Sequence, residues 1–94
     1  MESSKIEDKV PVKSNLKIKE QDKGHMVFNL ETSGFHLLQK DAINVLEKVD
    51  GKKSVQEIAK TISENSNEGF DSILNQLIDF FTELEKRKLI RWKS

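Results

Sequence analysis

The 94-residue chain has no cysteine and no tyrosine, one proline, one tryptophan and four glycines. Without cysteine there are no disulfides, thiolate-held zinc ions, iron–sulfur clusters or cysteine nucleophiles. Gly24, Gly34, Gly51 and Gly69 stand far apart, so there is no glycine-rich loop to cradle a phosphate. No apolar run nears the roughly 20 residues of a membrane span. The opening "MESSKIEDKV" lacks the hydrophobic stretch of a secretory signal. Excess charge of one sign is also missing, since 16 Lys and Arg balance 16 Asp and Glu. A grip on a nucleic-acid backbone usually needs a clear basic excess. These absences lead us to expect one small cytoplasmic domain with a single core, with neither a membrane nor a nucleic acid as partner.

What is present is periodic. Residues 1–14 are rich in Lys, Ser and Glu and read as a flexible N-terminal arm, with a short strand at most near Val10-Pro11-Val12. Residues 15–94 then form the domain. "LKIKEQ" (16–21) alternates apolar and polar residues, as an edge strand with one buried face does. "HMVFNL" (25–30) is read as a second strand with Met26, Phe28 and Leu30 inward, and "FHLLQ" (35–39) as a third. "ETSG" is the hairpin connection between them, with Gly34 free to take positive φ.

After the third strand the period changes to 3.6. Ala42, Val45, Leu46 and Val49 mark the buried face of a helix starting near Lys40 or Asp41, with Gly51 as its C-terminal residue. Ser54 and Glu57 form a capping box for a second helix that buries Val55, Ile58, Ala59 and Ile62. The last helix, about 71–88, carries Ile73, Leu74, Leu77, Ile78, Phe80, Phe81 and Leu84. At 100° per residue these span about 160°, against the roughly 100° stripe that meets one core. The helix therefore lies deep in the domain or keeps one apolar flank for a ligand. "LIRW" (89–92) ends the chain as a short extended segment or turn. Three antiparallel strands followed by three helices make an α+β, winged-helix-like domain.

Catalytic chemistry is not legible. His25 and His36 have no partners at metal-ligand spacing, the carboxylates are interleaved with lysine as on solvated faces, and no serine sits in a nucleophile elbow. We therefore expect no enzyme, metal or cofactor, and binding remains. One binding class is a winged-helix DNA-binding domain, with 71–88 as recognition helix. That helix carries Asp71, Asp79 and Glu83 before its first basic residue, Lys86, which disfavours phosphate contact. The other class is peptide capture: an exposed third strand offers backbone groups for strand addition, beside the over-wide apolar helix.

The order of the signals decides between them. "LLQKDAINVLEKVDGKKSVQEI" resembles PqqD-like proteins, the leader-peptide recognition elements of pathways that make ribosomally synthesised, post-translationally modified peptides. The resemblance rests on Leu38, Ala42, Val45-Leu46, Asp50-Gly51, Ser54-Val55 and Glu57-Ile58 in order, then Leu77, Phe80-Phe81, Leu84 and Leu89-Ile90. It covers about residues 16–91. Gln39 stands where the family often has Asn, and Lys88 where it often has Gly.

The resemblance implies a non-catalytic peptide chaperone whose partners are a precursor leader peptide and a modifying enzyme or leader peptidase. The leader would lie as an extra antiparallel strand on Phe35, His36, Leu37, Leu38 and Gln39. Ile73, Gln76, Leu77, Phe80 and Leu84 would wall the groove, and Lys86 and Arg87 would meet acidic leader residues. A free-standing domain of this kind looks most like the discrete leader-binding proteins of lasso-peptide pathways, where a cysteine-protease-like peptidase and a macrolactam-forming cyclase follow. Other discrete versions serve radical enzymes that bind S-adenosylmethionine.

Overall fold

In a computed structural model, residues 6–93 are described. A 3-10 turn at Ile6–Asp8 precedes strands β1 (Pro11–Lys13), β2 (Leu16–Gln21), β3 (Gly24–Asn29) and β4 (Phe35–Leu38). Helices α1 (Lys40–Leu46), α2 (Val55–Glu64) and α3 (Phe70–Lys86) follow, and β5 (Ile90–Trp92) ends the chain. The fold is α+β: β2-β3-β4 form an antiparallel sheet with the helices against one face, and β1 pairs with β5 as a second, two-stranded sheet. The core gathers Val27, Leu46, Ile58, Phe81, Leu84 and Leu89 from strand, helices and tail.

Of the arm expected over 1–14, residues 1–5 lie outside the described residues. Residues 6–13 are built into the body: Pro11 is fully buried and β1 pairs with β5 in the register Val12↔Arg91. The tail is held from the other side too. Trp92 packs edge-on against Phe81, with ring centroids 6.3 Å apart, and the Lys9 ammonium lies 5.7 Å from the Trp92 ring. Trp92 therefore packs the tail onto the core.

The meander corrects one inward assignment. Val27 and Asn29 are fully buried, so the odd residues of β3 face the helices and Met26 and Phe28 face outward. The cause is Asn29. A buried asparagine breaks the apolar alternation on the inner face, and its neighbours Phe28 and Leu30 then mimic a core face. Leu16 and Ile18 lie opposite Asn29 and Val27 on the inner side, but β2 has no buried face, since Leu16 is only half-buried and Ile18 is exposed. The hairpin after β3 also differs, because the positive φ falls on Ser33 (66°) and not on Gly34. The Ser33 N–H closes the turn on the Asn29 carbonyl at 2.8 Å.

α1 is one turn shorter than the apolar pattern implies. It ends at Leu46, and Val49 reaches the core from the loop that follows, where Gly51 takes φ 77°. Asp50 shapes this loop by accepting the Lys52 and Lys53 N–H groups at 2.9 and 3.1 Å. Ile43 fills the core position assigned to Ala42, which is only partly buried along with Val45. α2 begins with the capping box: Ser54 Oγ accepts from Glu57 N at 3.2 Å, and Glu57 Oε1 accepts from Ser54 N at 2.7 Å.

α3 ends in a Schellman turn. Leu89 N–H reaches back to Leu84 O at 2.9 Å and Lys88 N–H to Glu85 O at 2.9 Å, which forces Lys88 to φ 62°. Only glycine takes that conformation without strain.

Candidate functional site

β4 borders β3 and nothing else among the described residues, so its far side is an open edge. The backbone groups that face this edge follow from register. Asn29 N–H donates to Gly34 O at 2.8 Å, making Asn29 and Gly34 a hydrogen-bonded pair. In an antiparallel ladder, bonded and non-bonded pairs alternate. Val27↔His36 and His25↔Leu38 are then bonded, and Met26↔Leu37 and Phe28↔Phe35 are not. The β2 side agrees: Leu30 N–H donates to Asn15 O, so the even residues of β3 bond to β2 and the odd ones to β4. The N–H and C=O groups of Phe35 and Leu37 consequently point to the open edge. Their side chains are 65% and 53% exposed, the largest exposures of any large apolar residues described.

Residues directly opposite one another in a sheet share a face. A strand added to β4 would therefore place alternate side chains on the inner side, level with His36 and Leu38. On that side, just past the end of β4, an apolar-walled groove of about 340 Å³ opens between α1 and α3. Gln39, Asp41, Ala42 and Val45 form one wall, and Gln76, Leu77 and Phe80 the other. Phe80 is held by an edge-on contact with the buried Phe81, with centroids 5.3 Å apart. Gln76 is held by hydrogen bonds from its Nε2 to Glu68 Oε2 and Ser72 Oγ.

The twelve residues expected at the site divide unevenly. Phe35, His36, Leu37, Leu38 and Gln39 form the edge and its exit, and Gln76, Leu77 and Phe80 line the groove. Ile73 (4% exposed) and Leu84 (2%) lie in the core and do not line the groove. Lys86 and Arg87 are exposed at the far end of α3, and the Arg87 guanidinium lies 3.0 Å from the Glu83 carboxylate. Such an exposed pair contributes little stability and is easily exchanged for another carboxylate.

Four contributors are not among the expected site residues. Ala42 and Val45 had been assigned to the core and Asp41 to the helix start. All three line the groove because α1 turns Ile43 and Leu46 inward. Asn29 is the fourth, a positioning residue. Fully buried, it donates from Nδ2 to Lys88 O at 2.6 Å and accepts at Oδ1 from Glu31 N at 2.8 Å and Thr32 N at 3.3 Å. Ser14 Oγ donates to the same Lys88 carbonyl at 2.8 Å. One side chain thus ties the hairpin that leads into β4 to the end of α3, fixing the edge relative to the groove wall. The sequence carries no signal for it, because the apolar alternation of 25–30 places Asn29 on the outward side.

Among the described residues, no three His, Cys, Asp or Glu side chains are grouped to hold a metal ion. No helix is long and apolar enough to cross a membrane. The site offers an open backbone edge and an apolar groove, which suit recognition of an extended peptide.

Residues 24–90 match the family described as coenzyme PQQ synthesis protein D (PqqD). The chain belongs to this family. No curated protein matches it, and similar solved structures share the fold at low identity. TbiB1 in complex with the TbiA(beta) leader peptide is 17% identical, with a TM-score of 0.72, over 88% of this chain and 98% of that one. A lasso peptide synthetase B1 complexed with the leader peptide is 10% identical, with a TM-score of 0.67, over 81% and 89%. The PqqD truncation of Methylobacterium extorquens PqqCD, described as a functional and stand-alone recognition element, is 19% identical, with a TM-score of 0.70, over 87% and 88%.

Proposed function

We propose that this chain is a non-catalytic recognition element. It binds the leader segment of a ribosomally made precursor peptide as a strand added to β4 and presents it to a modifying enzyme such as a leader peptidase. The observation that carries this reading is the juxtaposition at β4. The outward N–H and C=O groups of Phe35 and Leu37 supply a strand-pairing template, and the groove walled by Ala42, Val45, Leu77 and Phe80 receives the inward side chains. Main-chain pairing gives affinity to any extended segment, and the groove selects apolar residues at alternate positions. The family membership and the leader-bound structures that share the fold support the same reading. Lys86 and Arg87, beyond the groove, are proposed to meet acidic leader residues.

A pair of proline substitutions tests it. The N–H of Leu37 faces the edge and that of His36 faces β3. Leu37→Pro removes a donor that only an added strand uses, whereas His36→Pro removes a ladder bond. With a fluorescently labelled candidate leader peptide, Leu37→Pro should weaken binding about tenfold or more while circular dichroism and melting stay near wild type. His36→Pro should lower stability itself. Unchanged leader affinity in a folded Leu37→Pro variant would refute strand addition.

A further inference from the structure

The face of the sheet turned away from the helices is not polar. Register places Phe28 opposite Phe35 and Met26 opposite Leu37, so four large apolar side chains form one cross-strand block. Lys17 and Lys19 lie opposite Phe28 and Met26 on the same face and border the block along β2. Asp and Glu do not occur among the strand residues of this face; the acidic residue of β2, Glu20, points to the other side. An outer sheet face of a small domain normally carries polar side chains. A contiguous apolar block with a charged border marks a site of protein contact. Phe35 and Leu37 take part twice, with their backbone groups at the open edge and their side chains in the block.

We propose that this outer face docks the enzyme that acts on the precursor, through an apolar patch on that enzyme bordered by carboxylates. The inference rests on leader binding at β4 and extends it. A leader strand paired with Phe35 and Leu37 places its outward side chains in line with theirs, as a further column of the same face. The enzyme then contacts lysine border, apolar block and bound leader together, and distinguishes the loaded domain from the empty one. Lysine on one side only also orients the enzyme relative to the leader.

The test uses the full chain with a leader peptide that it binds and a purified candidate leader peptidase that cleaves the same precursor. The probing variant is Lys17→Glu/Lys19→Glu, on the strand farthest from the leader edge. Leader affinity is read by fluorescence anisotropy, and association of the enzyme with the loaded domain by biolayer interferometry. The double variant should keep leader affinity within about twofold and weaken enzyme association about tenfold or more, and Phe28→Thr should do the same. Wild-type association should also weaken as salt rises. Enzyme association unchanged in both variants would overturn the docking surface while leaving leader binding intact. Sedimentation showing that wild-type chains already pair through this face, with the charge variant monomeric, would replace the enzyme with a second copy and overturn it too. A wild-type chain that binds no leader would remove the reading on which the proposal rests.

Discussion

At the scale of single residues, Asn29 and Lys88 join the β3–β4 hairpin to the end of α3. Lys88 holds a left-handed backbone because the Schellman turn requires it, and its carbonyl is the shared acceptor for Asn29 and Ser14. Relieving the φ strain and removing the amide should have opposite effects. Lys88→Gly should raise unfolding stability by about 0.5–1 kcal/mol, the left-handed cost less the added chain entropy of glycine. Asn29→Ala should lower it by about 1–3 kcal/mol, since three part-buried hydrogen bonds are lost at the Lys88 carbonyl and the Glu31 and Thr32 N–H groups. Urea titrations of the two variants check both signs. Asp50 adds a pH dependence. The N–H groups of Lys52 and Lys53 hold its carboxyl below the usual carboxylate range, with the Lys53 charge adding to the effect. A depressed folded-state pKa contributes stability above the unfolded value, near 4, and loses it as pH falls through the folded value. Asp50→Asn should therefore flatten the acid limb of the stability profile, as melting between pH 2 and 6 would reveal.

At the scale of elements, the helices were more legible than the strands. The capping box at Ser54 and Glu57 and the apolar stripe of α3 each mark their helix through local spacing, and α3 ends within two residues of its expected limits. The breadth of that stripe leaves open whether the helix lies deep or keeps a flank for a ligand; Ile73, Leu77, Phe81 and Leu84 are buried, and Phe80 borders the groove. The facing of β3 was not legible. Its inward side carries His25, Val27 and Asn29, and only tertiary contact with Lys88 explains a fully buried amide there. The same applies to β1. Nothing local in "VPVK" shows that β5 will pair with it, because that contact joins the two ends of the described chain. Residues 35–38, expected as the third strand, do form it and leave one edge open among the described residues. Ala42 and Val45 were missed as groove residues because helical period alone cannot tell a core-facing flank from a groove-facing one. Gly24 shows how tightly β4 is placed: a Cβ there would lie 2.9 Å from the Leu38 carbonyl oxygen, at a φ of 141°. Gly24→Ala should displace the end of β4 and weaken leader binding more than it lowers the melting temperature, which paired anisotropy and thermal scans would separate.

At the scale of the whole molecule, three layers of use are stacked on one sheet. The inner face closes the core through Val27 and Leu38, the β4 edge offers the Phe35 and Leu37 backbone, and the outer face carries the lysine-bordered apolar block. Amide hydrogen exchange, followed by NMR on the labelled chain with and without its leader peptide, tests strand addition most directly. His36 and Leu38 amides, already bonded to β3, should be protected in both states, and those of Phe35 and Leu37 should become protected only when leader is present. Phe35 and Leu37 amides that exchange equally fast in the saturated complex would contradict pairing along β4.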